Sequence, residues 1–391
     1  MGILAKAHLW LVASIVFYLG FLALLTIPYV QRGLIFLHWV RLPVQADFSQ
    51  PERYGLAPGQ VRNLYLTTPD GATIGVWHAL PDFVYERHLR SGTPGSEQPL
   101  SLHASEITEE TFKQALRTHK TVLYSHGNAA SRAKGFRAAM VRGFTRPRGL
   151  EGCEEGMNFV SYDYRGFADS SSAKQFPPSE SGLITDAQTV WNWLIKQGGK
   201  PDQIGVVGHS LGTAVTMGLA HRLDANQLPG PRAISLIAPF TSLPELLKTY
   251  VLFKVFPILQ PFSYFPQLQD QVIRTTLKTH FDTKARLSEL KSENTTILLI
   301  HAKDDLDIPN SHSHALFTTL QEQSDESNDQ SIKTNIKMNR LSNYGTLHSL
   351  HVSSVSPRPR ILYLEAERGG HNQVGQSETS LRSVAQLVCR A

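Results

Sequence analysis

From Leu9 to Val30 the chain runs without a formal charge, with Trp10 and Tyr29 near the two ends. A bilayer core of about 30 Å needs about 20 apolar helical residues, so this run predicts a single membrane span. A cleaved signal peptide would have a shorter apolar core and a small-residue cleavage site. No Ala-x-Ala pattern follows here, which favours a retained anchor. Lys6 on one side balances Arg32 and Arg41 on the other, so flanking charge does not set the orientation. The next stretch, Gly33 to Pro43, is apolar with a few polar breaks and is expected to lie along the membrane surface.

Beyond residue 45 the apolar runs shorten and alternate with helical patterns. Asn63 to Thr68 and Thr73 to Ala79, separated by Asp70-Gly71, predict an antiparallel hairpin. Further strands are predicted at Val122–Ser125, Phe159–Tyr164, Ile204–Val207, Ala233–Ile237, Thr296–Ile300 and Ile361–Leu364. Helices are predicted near Ala133–Arg142, near Leu183–Lys196, from Thr213 to Leu223 and from about Ser377 to Cys389. Strands alternating with helices predict an α/β fold: a mostly parallel sheet covered on both faces.

Two regions depart from that alternation. Between Phe240 and Leu290, apolar residues such as Leu246, Tyr250, Phe253, Ile258 and Phe262 crowd together, broken by Pro257, Pro261 and Pro266. Core helices and a cap over the site both fit; the proline spacing favours a cap of short segments. From about Gln323 to Arg360 the chain is rich in Ser, Asn, Asp and Gln, and is expected to be a mobile insertion. A second insertion of similar composition is expected near Arg90 to Gln98. The expected organisation is an anchor and juxtamembrane segment over 1–45, then one α/β domain over 46–391 with a cap at about 240–290.

Composition narrows the chemistry by exclusion. With 391 residues and 41% apolar content, the chain can bury one large core. Two cysteines, Cys153 and Cys389, rule out a disulfide framework, and no Cys/His spacing suggests zinc. Net charge is only +5, with the basic residues scattered. No Walker loop, dinucleotide fingerprint or aromatic-basic nucleic-acid pattern is present.

The strongest chemical signal is Gly208-His209-Ser210-Leu211-Gly212, between an apolar strand and a helix. A sharp strand-to-helix turn pushes its central serine out of the sheet and crowds the positions two before and two after it. Only very small residues fit there. The same turn aims the Leu211 N–H, at the new helix's N-terminus, toward a developing oxyanion. Upstream, a strand runs into His126-Gly127-Asn128-Ala129, where the Asn128 N–H is the candidate second donor.

A nucleophilic serine also needs an acid and a base, in the order Ser, Asp, His for this type of fold. The strand at Thr296–Ile300 runs into His301-Ala302-Lys303-Asp304-Asp305-Leu306-Asp307-Ile308-Pro309. Asp305, four residues before the proline, is the expected orienting acid, with Asp304 as the substitute. Of His312, His314, His348, His351 and His371, only His371 follows a fresh strand in a glycine loop and precedes a terminal helix.

These segments, with Ile74-Gly75-Val76-Trp77-His78, Asp163-Tyr164-Arg165-Gly166 and Ala238-Pro239-Phe240-Thr241-Ser242, resemble the α/β-hydrolase superfamily over roughly residues 60–310. Within it, the anchor and the IGVWH segment resemble the membrane-anchored lipases of the α/β-hydrolase-domain protein twelve group. The resemblance implies hydrolysis of monoacylglycerols or lysophospholipids, lysophosphatidylserine above all, at the endoplasmic reticulum membrane. It also implies a catalytic domain facing the lumen, compatible with the sequon Asn294-Thr295-Thr296. The expected chemistry is acyl transfer to water by Ser210, Asp305 and His371, with no metal or organic cofactor. The partners expected are a single-chain lipid and the membrane, and no nucleic acid. An acyl-protein thioesterase would use the same triad, although no cysteine precedes Cys153 for an acylated attachment. A membrane scaffold without catalysis is the reading from another class.

Overall fold

The computed structural model describes residues 2–91, 107–146, 149–252, 256–291, 295–325, 335–351 and 361–390. The anchor helix α1 (Ile3–Leu25) ends earlier than the apolar run does. Pro28 disfavours helix at Ile27 and then starts a second helix, α2 (Pro28–Phe36), from its first position. At about 1.5 Å per residue, α1 is about 34 Å long and is long and apolar enough to cross a membrane.

The sheet begins with the hairpin β1 (Val61–Thr67) and β2 (Thr73–Ala79). Helices α3 (Asp82–Ser91) and α4 (Glu109–Thr118) lead to β3 (Thr121–Ser125). There follow α5 (Gly135–Thr145), β4 (Asn158–Tyr162), α6 (Glu180–Lys196), β5 (Ile204–His209), α7 (Leu211–Ala225) and β6 (Ala233–Ile237). The capping region holds α8 (Leu243–Thr249), a ribbon of β7 (Val251–Leu252) with β8 (Phe256–Pro257), and α9 (Pro266–Thr276). Then come α10 (Thr283–Glu289), β9 (Thr296–Ala302), α11 (Ser311–Asp325), β10 (Asn335–Leu341), β11 (Gly345–His351) and β12 (Ile361–Ala366). The chain closes with α12 (Gly370–Gln373) and α13 (Glu378–Cys389).

The main sheet has the order β1-β2-β4-β3-β5-β6-β9-β12-β11-β10. Its centre, from β4 to β12, is parallel, and both ends are antiparallel. Central strands such as β9 carry an unbroken apolar run, Ile297 to Ile300, because both faces are covered. Leu123, Val206, Ile297 and Leu299 pack on one face with α6, α7 and α11. Val122, Tyr124, Leu298 and Ile300 pack on the other with α5 and α13. This even division follows from the period-2 alternation of strand side chains.

Three expectations change. The stretch about 323–360 was expected to be a mobile insertion, but its residues 335–351 are the β10–β11 hairpin, which extends the sheet beyond β12. Polar composition hid it: Leu350 is buried, and His348 stacks on Tyr363 of β12 at 5.5 Å. Residues 326–334 and 352–360, the 90–98 insertion from residue 92 onward, and Asn294 of the sequon lie outside the described residues. The juxtamembrane segment does not lie alone along a surface. Phe36 is buried against Phe281, and the chain after it runs along the catalytic domain. Finally, Cys153 and Cys389 do pair, in a single buried disulfide that ties the loop after α5 to the end of α13.

Candidate active site

Ser210 stands between β5 and α7 with φ 54° and ψ −121°, a strained backbone for a non-glycine residue. Its N–H donates to the Ile237 carbonyl at 2.9 Å, and its own carbonyl accepts from the Thr213 hydroxyl at 2.6 Å and the Thr213 N–H at 2.9 Å. Neighbouring chain leaves no room for a methyl at the flanking glycines: a Cβ on Gly208 would meet the Gly212 carbonyl, and one on Gly212 would meet that of Ser125. Gly127 is needed as well, since its Cβ would lie 3.2 Å from that of Ser210.

Of the three aspartates after β9, the structure joins Asp305 to His371. Asp305 Oδ2 accepts from His371 Nδ1 at 2.8 Å, and Oδ1 accepts the N–H groups of Asp307 and Ile308 at 2.8 and 2.9 Å. Buried His301 contacts the same carboxylate at 3.2 Å. Burial pushes the Asp305 pKa up, but the hydrogen bonds from His301, His371 and the Ile308 N–H outweigh it and hold the carboxyl well below the usual range. Asp304 turns the other way and accepts from Gly369 and Gly370, in the loop that carries His371. His209 donates to the His371 carbonyl at 2.8 Å. Among the described residues Ser210 and His371 form no hydrogen bond, as is common without substrate. They line one cavity. His312 pairs with Thr241, His314 with Glu365, and His348 stacks on Tyr363, so none of them meets Asp305.

Asp305, Asp307 and His371 also bring potential metal-ligand atoms within 4.8 Å of one another. The Asp305 Oδ2 and His371 Nδ1 atoms are already engaged with each other, which weakens that set as a cation site.

The turn after β3 is held from two sides. Ala129 and Ala130 take positive φ, and their N–H groups donate to the carbonyls of Phe36, the last residue of α2, and of Val40 beyond it. Arg137, only 4% exposed, sends its guanidinium into the carbonyls of Gly127, Asn128, Ala129 and Ser131 at 3.0 to 3.2 Å. Drawing four carbonyls toward Arg137 leaves the opposite face of the loop to its N–H groups, and Asn128 lines the cavity with Ser210. The Leu211 N–H is free of intrahelical acceptors because it opens α7. Beneath the loop, Tyr164 donates to the His126 carbonyl at 2.8 Å, and Asp163 accepts from the Arg132 N–H at 2.9 Å. Arg165 braces the adjacent turn through Asp186 and Asp70.

Arg137, His301 and the contribution of α1 and α2 escape a sequence reading. Arg137 is one of two arginines in a mostly apolar helix, and only folding brings it under the turn.

The cavity itself measures about 330 Å³. Its lining is polar at Ser210, His209, His371 and Asn128, and apolar along Leu246, Leu247, Ile258, Leu259, Val272 and Ile273 of the capping region. Residues from 243–252 and 256–277 thus contribute much of the lining, and they fold as short segments rather than long helices.

A serine on a strained strand–helix elbow, an Asp–His pair at the ends of later strands, and a mostly parallel doubly covered sheet define the chain as an α/β-hydrolase. Comparison with known proteins agrees. The serine aminopeptidase S33 family, Hydrolase_4, matches residues 153–269. An α/β-hydrolase from Vibrio vulnificus has the same fold at 14% identity, with a TM-score of 0.55 over 91% of this chain and 89% of that one. The chain has the α/β-hydrolase fold. In sequence it is similar to lysophosphatidylserine lipase ABHD12 of Danio rerio, with 30% identity over 72% of this chain and 64% of that protein. The Rattus norvegicus ABHD12 is 31% identical over 72% of this chain and 61% of its own length. The chain thus spans a little under two thirds of these relatives.

Proposed function

We propose that this protein is a membrane-anchored serine hydrolase that cleaves the acyl ester of single-chain lipids, a lysophospholipid or monoacylglycerol. The observation that carries the reading is the cavity: Ser210 and His371 line it together with a larger set of apolar side chains from α1, α2 and the capping region, a lining suited to an acyl chain. In the reaction, the Ser210 hydroxyl attacks the ester carbonyl while His371 Nε2 takes its proton. Asp305, bonded to Nδ1, holds the ring in that tautomer and balances the imidazolium. The Asn128 and Leu211 N–H groups stabilise the tetrahedral oxyanion. Collapse expels the headgroup alcohol, protonated by His371, and leaves an acyl-serine. Water, deprotonated by the same imidazole, then releases the fatty acid and restores Ser210.

The similarity to lysophosphatidylserine lipases supports a lysophospholipid with an anionic headgroup. A buried disulfide favours an oxidising compartment, so the domain is assigned to the lumenal side of the endoplasmic reticulum. The test is fatty-acid release by the detergent-solubilised full-length protein, beside Ser210→Ala. Its panel is monoacylglycerol, lysophosphatidylserine, lysophosphatidylcholine and a palmitoyl-cysteine peptide. Glycerolipid cleavage that vanishes in the alanine variant supports the proposal. Preference for the peptide moves the assignment to a thioesterase, and equal activity of Ser210→Ala overturns it.

A further inference from the structure

The anchor and the cap are joined, and the joint lies partway along α1. Tyr18 Oη donates to the Ile258 carbonyl at 2.8 Å, and its ring lies 6.1 Å from that of Phe262. Gln31, which is buried, donates to the carbonyls of Leu25 and Thr276 and accepts from the Lys278 N–H, clamping the α1–α2 junction to the end of α9. Tyr18 precedes Leu25, the last residue of α1, by two turns of helix, or about 10 Å along the axis. Any membrane that α1 crosses therefore reaches the cap segment that touches Tyr18. That segment presents Tyr264, Phe265 and Leu268 at 85%, 64% and 45% exposure, side chains that water solvates poorly and a hydrocarbon layer takes up.

The cavity that holds Ser210 is built from both partners. Leu22 and Leu25 of α1 and Leu34 and Ile35 of α2 line it together with Ile258, Leu259 and Ile273 of the cap.

We propose that Tyr264, Phe265 and Leu268 sit in the acyl layer of the leaflet that α1 leaves, and that the lipid chain passes from that leaflet to Ser210 between anchor and cap. The anchor is then part of the substrate site, with Leu22 and Leu25 in contact with the chain. This rests on the single-chain lipid esterase reading. It deepens that reading by naming the route and the residues that measure chain length. An acyl chain that never leaves an apolar surface avoids the cost of exposing each of its methylenes to water.

The experiment uses the full-length protein in phosphatidylcholine vesicles. Both native cysteines are paired, so a nitroxide on Phe265→Cys reports one position. Oxygen is expected to relax it more than a water-soluble nickel complex does, with the reverse for Asn226→Cys at the far end of α7. Nickel-dominated relaxation at Phe265→Cys overturns the insertion. In the second arm, Leu25→Trp and Leu22→Trp fill the cavity, and the ratio of kcat/KM for eighteen-carbon over six-carbon lysophospholipid is read. The ratio is expected to fall by about tenfold, within the range that overpacking produces. An unchanged ratio in both variants overturns the anchor's role. Failure of the unsubstituted protein to cleave either ester, or full activity of Ser210→Ala, instead removes the esterase reading beneath it.

Discussion

Asp304 and Asp305, adjacent in the chain, grip the His371 loop at two different points. Asp305 binds the imidazole at Nδ1, and Asp304 binds the backbone two and one residues before it, at Gly369 and Gly370. One fixes the ring's tautomer and the other fixes where the loop stands.

The two roles separate by mutation. Asp305→Asn is expected to lower kcat by about 10⁴, the size seen when an orienting carboxylate loses its charge. Asp304→Asn keeps an acceptor for the loop amides and is expected to cost about tenfold or less. Steady-state kinetics on a soluble ester measures both; equal losses would contradict the division.

Under the proposed mechanism, Arg137 positions the loop that carries the Asn128 N–H. Arg137→Lys can reach few of the four carbonyls, so the Asn128 N–H drifts from its place. The expected loss is in kcat, about 10²-fold, with KM little changed, as for removal of an oxyanion donor. A loss confined to KM would assign Arg137 to substrate binding instead.

Acid is expected to destabilise the fold through buried histidines. Burial, with Arg62 nearby, pushes His78 down to about 3; burial, with His371 nearby, pushes His209 down to about 3; and burial pushes His312 down to about 4. An unfolded histidine titrates near 6.5. Below that pH the unfolded chain binds protons that the folded chain refuses. Stability is therefore full above about pH 6.5 and is lost as pH falls toward 3, with a limiting slope of about 1.4 kcal/mol per pH unit for each histidine. Denaturant unfolding from pH 7.5 to 4.5 checks the slope, and His78→Gln should flatten it.

The Cys153–Cys389 bond closes a loop with a sequence separation of 236. Removing it through Cys389→Ser is expected to cost about 2–5 kcal/mol. Thermal unfolding with and without reductant reads the loss, and thiol titration of the denatured native protein should find no free thiol.

Sequence reading located the hairpin, the alternating strands and helices, and the strand–turn–helix signature at Ser210. All of these are encoded within a few residues of one another. Asp305 was separable from Asp304 and Asp307 only by its spacing to Pro309, and His371 only by its glycine loop and chain order. The β10–β11 hairpin was not legible, because polar side chains line an edge ribbon whose apolar contacts, such as Leu350, lie on one face.

Local patterns determined what this chain could read out by itself: a long apolar helix, a doubly covered sheet, and a serine at a turn too tight for any residue but glycine on either flank. Tertiary structure alone decided that Arg137 lies under the loop after β3, that Cys153 meets Cys389, and that α1 walls the cavity. Such contacts join residues up to 247 positions apart in the chain, as Gln31 and Lys278 are. Nothing in a short window carries them. They exist because packing both faces of one twisted sheet brings loops from distant strands to the same end, where the cap and the anchor close over them.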